Sequence, residues 1–461
     1  MPLPPLPETP LVSICTTAYN HERYIAEAIE SVLAQDWPAD RLEYIVIDDG
    51  STDGTWAAIE PYRDRVRAIH QENQGVRAVM NRVVGAMTGD VLCSVAGDDS
   101  CPPDRIRRLV EALQANPTAG MAYSDLEVIG PDGQLLHPSF MRLYGLTGHS
   151  GRIRGRLLAR NFVSGGGIML RNCLRDVFHP LPDHAAFEDY WWAWAISGVA
   201  DVVYVDHPTY RYRTHGANLS HGATGERLAQ SQRADIRFRR WMLGTVTPDE
   251  ATATQVIEGV ATLLSVHSEL VEGGSEPIDV SDSERAAAEA ALCRAHGALD
   301  RGDVDAAARE CARAAAADPT ARAVAVLAAE LRSGLAPRPA HHELRGHVVI
   351  ASAVELAARP ELLVNYARRF SAADDVTLVV AGPIEVIGAI AELLRGLGLD
   401  GPDSPDLLGI TEESEAMDLL RVARARLGAP GTGLLPSFDI DGMDELHALL
   451  AHGPSLVVAV A

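Results

Sequence analysis

The stretch Leu42-Glu-Tyr-Ile-Val-Ile-Asp-Asp-Gly-Ser-Thr-Asp-Gly54 decides how the first half of the chain reads. Leu42–Ile47 has the apolar, β-branched character of a buried strand, and Asp48 to Gly54 is turn chemistry. Upstream, Leu11–Thr16 is a second such run, after which Asn20 is placed to cap a helix carrying Tyr24, Ile25, Ala28, Ile29, Val32 and Leu33 on one stripe. Downstream, Val66–His70, Val91–Ala96 and Met121–Ser124 read as strands, separated by helices over Val76–Met87 and Pro103–Ala115. Strand and helix in alternation predict a parallel α/β sheet with helices on both faces. Ligands of such sheets sit at the carboxyl ends of the strands. The loops after Thr16, Ile47 and Ala96 are therefore expected to share one site.

Two acidic pairs fall on that edge, Asp48-Asp49 and Asp98-Asp99. Adjacent carboxylates repel and persist only where hydrogen bonds or a cation offset the cost. A divalent ion bridging to a diphosphate would do so at one pair, with the other accepting hydrogen bonds from a base and a ribose. The plainer reading of Asp48–Gly54 is a strand-to-helix turn, since Asp and Gly favour turns for their own reasons.

Composition narrows the function. The chain has 461 residues, enough for about two to four domains, and its 40 basic against 63 acidic residues give a net charge of -23. Such a surface disfavours a nucleic-acid partner. All the basic residues are Arg; the absence of Lys excludes Walker-type loops and Schiff-base chemistry. The 6 Cys form no C-x-x-C pair, which fits a reduced, cytoplasmic protein without a disulfide framework or zinc site. The N-terminus does not read as a signal peptide, and no apolar run reads as a membrane span, so any membrane contact is expected to be peripheral.

Between Pro248 and Leu335 the strand signal gives way to Ala-rich helices over Glu284–Leu299, Val304–Ala317 and Thr320–Arg332. The spacing Ala307, Cys311, Ala314, Pro319 resembles one tetratricopeptide (TPR) unit. After a Pro-rich linker at Ala336–Ala340, alternation returns, with strands at His347–Ala351, Val376–Ala381, Leu407–Ile410 and Leu456–Val460 and helices at Pro360–Phe370, Val386–Leu397 and Glu415–Leu427. Three domains are expected: 1–243, a helical, TPR-like segment over 244–338, and a small Rossmann-like α/β domain over 339–461. The chain stops directly after a strand-like run, as a piece of a longer protein would.

The first half resembles the family 2 glycosyltransferases, of GT-A fold, a Rossmann-like architecture. The resemblance is carried by Val12-Ser-Ile-Cys-Thr-Thr-Ala-Tyr-Asn20, Ile47-Asp-Asp-Gly-Ser-Thr-Asp53, Asn73-Gln-Gly75 with Asn81, Gly89-Asp90, Ala96-Gly-Asp-Asp99, Pro103-Asp-Arg105, Phe187-Glu-Asp189 and Tyr210-Arg-Tyr-Arg-Thr-His215, in that order. It implies a nucleotide pocket lined by Thr17, Tyr19 and Asn20, with Asp48 and Asp49 on the base, commonly uracil. Asn73 and Arg77 would border the nucleotide and diphosphate. Asp98 would touch the ribose or metal, and Asp99 would bind Mn²⁺ or Mg²⁺, with His215 near the same ion. Asp189, oriented by Glu188, would be the general base. Gly165 and Gly166 would let an acceptor sugar approach backbone, and Trp191 would stack on it, although Trp191, Trp192 and Trp194 read equally as helix core.

Three residues depart from the family pattern: Ala18 for Pro, Ala96 for the first acid of an Asp-x-Asp, and Ala195 where an Arg often stands. The resemblance implies a metal-dependent, inverting transfer from a nucleotide sugar, with UDP-linked donors expected, to a glycan, lipid-linked or protein hydroxyl. The alternative is a catalytically dead glycan- or peptide-binding protein on the same scaffold. The tail, Leu435-Pro-Ser-Phe-Asp439 with Ala448-Leu-Leu-Ala-His-Gly-Pro454, resembles the end of a GT-B C-terminal domain that has lost its second Glu. That implies a non-catalytic domain: a scaffold, an acceptor platform or the surface of a homodimer.

Overall fold

The computed structural model describes residues 2–215, 224–335, 347–371, 373–374, 376–381, 383–396, 406–410, 425–427 and 437–438. The chain divides into two compact units, residues 1–228 and 229–461.

The first unit opens with β1 (Val12–Ala18), α1 (Ile25–Leu33), β2 (Leu42–Asp49), α2 (Thr55–Ile59), β3 (Arg67–Gln71), α3 (Val76–Ala86), β4 (Val91–Ala96), α4 (Arg105–Ala115) and β5 (Ala119–Ser124). Then follow β6 (Glu127–Ile129), β7 (Leu135–His137), α5 (Phe140–Leu143), α6 (Arg154–Ala159), β8 (Met169–Arg171), α7 (Arg175–Phe178), α8 (Glu188–Val199), β9 (Asp201–Val205) and β10 (Arg211–Arg213). The main sheet runs β3-β2-β1-β4-β8-β5-β9, and a small sheet runs β10-β6-β7. The main sheet is parallel except at β8, which pairs antiparallel with both β4 and β5. That strand and the small sheet lie outside the simple alternation expected from the sequence.

The helices bury what their periodicity predicts. Ile25, Ala28, Ile29 and Val32 recur at helical spacing and are all buried in α1. With Ile106, Leu109 and Leu113 of α4 they pack on Val12, Ile14, Val46, Val91 and Cys93 from one face of the sheet. On the other face Met80, Val84 and Trp192 of α3 and α8 meet Cys15 and Leu92. The start of α1 corrects one expectation: Tyr24, and not Asn20, occupies the N-cap position.

The second unit begins within α9 (Gly225–Thr245) and continues with α10 (Ala253–Glu272), α11 (Asp282–Asp300), α12 (Val304–Ala317) and α13 (Arg322–Leu335). Capping boxes, Thr252 with Gln255 and Ser281 with Glu284, start α10 and α11. Small side chains, Ala291, Ala295 and Ala298 against Ala307, Ala308 and Cys311, are buried in α11 and α12, which pack on each other.

A parallel sheet of order β13-β12-β11-β14-β15 follows, built from β11 (His347–Ser352), β12 (Val376–Ala381), β13 (Asp406–Ile410), β14 (Ala425–Leu427) and β15 (Ser437–Phe438). Its helices are α14 (Ala353–Ala358), α15 (Pro360–Arg369) and α16 (Ile384–Gly396). Residues 425–427, expected to close a helix, instead form a strand: Ala425 and Arg426 pair with Val349 and Ile350 of β11, and Leu427 with Phe438 of β15. Ladder hydrogen bonds at the centre of a sheet outweigh the few tenths of a kcal/mol by which Ala, Arg and Leu favour helix. Apart from β15, the segment resembling a GT-B tail lies outside the described residues. Among the described residues no helix is long and apolar enough to cross a membrane.

Candidate active site

The parallel register puts the acidic loops level. Ala18 pairs with Asp48, and Thr17 with Ala96, so β1, β2 and β4 end on one edge. The loops are then laced together. Asn20 takes a left-handed φ of 58°, its N–H donates to Ser51 Oγ at 2.9 Å, and its Oδ1 accepts from the Thr52 N–H at 2.8 Å. Asn tolerates that backbone better than most residues, and the cross-loop bonds explain why it does not cap α1. Thr17 contributes its carbonyl to the Gly97 N–H at 2.9 Å, while Tyr19 is exposed.

Hydrogen bonds hold the first acidic pair. Asp48 Oδ1 accepts from the Ser51 N–H and hydroxyl at 3.1 and 2.5 Å, and Oδ2 lies 2.7 Å from His70 Nδ1. Asp49 Oδ1 accepts from Gln71 Nε2 and the Gln74 N–H at 2.7 and 2.9 Å, and Oδ2 from the Gly75 N–H at 3.0 Å. Asn73 Nδ2 donates to the Asp49 carbonyl at 3.0 Å. The pair thus shapes the loop from β3 to α3. Gly50, at φ 72°, admits that loop because a Cβ there would lie 2.6 Å from the Asn73 nitrogen. Arg77 makes an exposed ion pair with Asp183.

The second pair separates into two roles. Asp99 is buried: Oδ1 accepts from the Arg213 N–H at 2.7 Å and Oδ2 from the Tyr210 hydroxyl at 2.8 Å. Burial and the charge of Asp98 hold its carboxyl well above the usual range, against those two donors. Asp98 instead reaches the surface side, with Oδ2 3.1 Å from His215 Nε2 and 3.7 Å from His21 Nε2. His215 stacks on Tyr24 at 5.1 Å. Among the described residues no three His, Cys, Asp or Glu side chains form a cluster that could hold a metal. A carboxylate with an imidazole beside it nonetheless fits a Mn²⁺ or Mg²⁺ ion that completes its shell with diphosphate oxygens.

Two buried arginines, Arg105 and Arg213, to which the sequence reading gave no role, position this edge. The Arg105 guanidinium donates to the carbonyls of Gly166, Ile168, Ser94 and Thr209 and lies over the Tyr210 ring at 5.2 Å. Arg213 donates to the Asp98 carbonyl at 2.8 Å and packs over Tyr24 at 4.9 Å. Both stand in quoted motifs, but only burial distinguishes them from surface Arg.

Through these contacts the glycine block meets the acidic loop. A Cβ at Gly166 would fall 2.4 Å from the Tyr210 ring, and Gly165 donates its N–H to Asp189 Oδ2 at 3.0 Å. We expect Gly166→Ala to displace Tyr210 from Asp99 and cost about 1–3 kcal/mol, as overpacking does. Thermal melting reads this directly, and an unchanged melting temperature would show that the turn yields without disturbing Tyr210.

Asp189 and Glu188 occupy the first turn of α8. Asp189 Oδ1 accepts from the Tyr190 N–H at 2.5 Å and from Asn161 Nδ2 at 3.2 Å. Burial, then the charge of Glu188, push its carboxyl up to about 7. Trp192 and Trp194 are core; Trp191 is half-buried, its Nε1 donating to the Phe178 carbonyl. Phe187, at the cap of α8, is exposed beside the carboxylates.

Residues 13–178 match the family described as Glycosyl transferase family 2. The chain carries a family 2 glycosyltransferase domain. An uncharacterised glycosyltransferase of Nostoc is 34% identical over 116 residues, which cover 24% of this chain and 35% of that protein. The succinoglycan biosynthesis protein ExoO of Rhizobium meliloti is 36% identical over 135 residues, 29% of this chain and 38% of its own. The chain spans less than two thirds of the length of the curated relatives it matches. Among solved structures, Staphylococcus aureus TarS 1–349 in complex with UDP-GlcNAc aligns at 16% identity and a TM-score of 0.39, covering 66% of this chain and 90% of its own. The glycosyltransferase domain thus spans β1 to α7 of the first unit, and Asp189 and His215 stand beyond the matched residues.

Proposed function

We propose that this protein transfers a sugar from a nucleoside-diphosphate donor, UDP-linked, to an acceptor hydroxyl, with inversion at the anomeric carbon. The observation that carries the reading is the chain of contacts from Asp189 through Gly165, Gly166 and Tyr210 to Asp99 and the neighbouring Asp98. It joins a carboxylate titrating near neutrality to the acidic edge of a family 2 domain.

Asp189 is the base. A carboxyl raised to about 7 is roughly half ionised at neutral pH, and its ionised form is basic enough to take a proton from an attacking hydroxyl. One base facing the acceptor favours in-line displacement. Asn161 and the Gly165 N–H orient the carboxylate, and Glu188 tunes it. Asp98 and His215 would hold Mn²⁺ or Mg²⁺, which when bound offsets charge on the leaving diphosphate. This assigns the ion to Asp98 in place of Asp99, whose oxygens are committed to Arg213 and Tyr210. Tyr19, Asn20 and the loop organised by Asp48, Asp49 and Asn73 would receive the nucleoside, with Arg77 at its border. The helical hairpin and the second parallel sheet support a TPR-like segment followed by a non-catalytic Rossmann-like domain.

A thermal-shift screen of nucleotide sugars, with and without Mn²⁺, tests the donor assignment. A selective ligand raises the melting temperature as RT ln(1 + [L]/Kd) requires. We expect UDP-linked sugars to stabilise the protein more with Mn²⁺ than without. No shift from any nucleotide sugar would leave the domain a binding scaffold.

A further inference from the structure

The chain is strongly acidic, yet no Asp or Glu occurs between Gly133 and Arg175. That stretch contains β7, α5 and α6. On β7, the edge strand of the small sheet, Leu135 and Leu136 are 56% and 55% exposed. Leu143 and Tyr144, on and just after α5, are 46% and 37% exposed. Four large apolar side chains within ten residues of sequence are more than the scattered exposure of an ordinary surface. Arg142, Arg156 and Arg160 are exposed in the same segment, and Arg160 donates to the Tyr144 carbonyl at 3.0 Å, tying the end of α6 to the end of α5.

We propose that Leu135, Leu136, Leu143 and Tyr144, flanked by Arg142, Arg156 and Arg160, form a peripheral docking surface for an anionic lipid bilayer. Charge complementarity identifies the occupant. Negative headgroups attract the exposed arginines, and residues 133–175 that carry them hold no carboxylate of their own. Leu and Tyr side chains enter the headgroup boundary, where an apolar body and a polar tip are both accommodated. A soluble polyanion would engage the arginines but leave the leucines in water.

The surface leads to the reaction site. Asn161, next to Arg160, donates to the Asp189 carboxylate. Resting on the transferase reading above, the docked orientation presents the acceptor side of the base to a hydroxyl carried on a membrane lipid.

The test is sedimentation of the full chain with phosphatidylcholine vesicles and with vesicles of phosphatidylcholine and phosphatidylglycerol in equal parts. We expect binding to the anionic vesicles alone, weakened by salt. Leu135→Ser with Leu136→Ser should reduce it at least about fivefold, as should Arg142→Glu with Arg156→Glu. Melting temperature and nucleotide-induced shift should stay at wild-type values in both variants, which separates failure of docking from failure of the transferase reading. No anionic-vesicle binding, or equal binding to neutral vesicles, would overturn the proposal. So would a leucine variant that binds like wild type, which indicates a soluble polyanion site. Conversion of a dimer to a monomer by the leucine variant, without vesicle binding in the wild type, would assign the surface to a second copy.

Discussion

Asp189→Asn should lower the transfer rate at least about 10²-fold while nucleotide affinity stays within a few-fold. A positioned general base contributes roughly 10²–10⁴ to rate, and Asn cannot take a proton at neutral pH. Among the described residues Asp189 accepts from Asn161, Gly165 and Tyr190, none of them in the nucleotide loops, so binding should survive. The wild-type pH profile gives an independent reading. A base whose carboxyl sits near 7 is protonated as the pH falls below that value, so kcat/KM should drop about tenfold per pH unit there and level off above it. Because the Glu188 charge helps raise Asp189, Glu188→Gln should move that acid limb to lower pH. The competing role for Asp189 is structural: it sits in the first turn of α8 and bonds Asn161 and Gly165. A variant that transfers sugar at near wild-type rate and merely melts lower would assign it to that role and leave the reaction without this base.

The second large effect separates the neighbouring acids. Asp98→Ala should abolish the Mn²⁺-dependent part of nucleotide stabilisation and leave the ligand-free melting temperature almost unchanged, since among the described residues its carboxylate faces two imidazoles, His215 and His21, and no backbone donor. Asp99→Ala should do the reverse first. It removes the acceptor of the Tyr210 O–H and of the Arg213 N–H inside the protein. Losing the acceptor of buried donors costs about 1–3 kcal/mol, and about 2 kcal/mol lowers Tm by roughly 4–8 °C in a unit of this size. Melting curves of both variants, with and without UDP and Mn²⁺, decide the matter. Should Asp99→Ala melt normally but lose the metal response, Asp99 is the ligand after all.

How far the site was legible follows from how each residue acts. Asp48, Asp49, Asp98 and Asp99 were visible because strand ends and turn chemistry are local properties, and a parallel register then makes their loops coincide. The division of labour between Asp98 and Asp99 was not visible. It depends on which carboxylate meets Tyr210 and Arg213, more than a hundred residues away in the chain. Asn20 shows the same limit, because capping and cross-loop bonding use the same side chain and only the position of Ser51 and Thr52 selects between them. Arg105 looked like any of the other arginines until burial against four carbonyls gave it a role.

The sequence by itself determined the alternating strands and helices, the edge on which the acidic loops meet, and the family to which the first domain belongs. Those follow from period, turn chemistry and ordered motifs, which involve neighbours in the chain. Tertiary structure alone decided the antiparallel β8, the small sheet, the pairing of residues 425–427 and the separate fates of adjacent carboxylates. Each of these turns on a partner supplied from far along the chain, and the free energy of a buried hydrogen bond or charge is set by that partner and not by the local sequence.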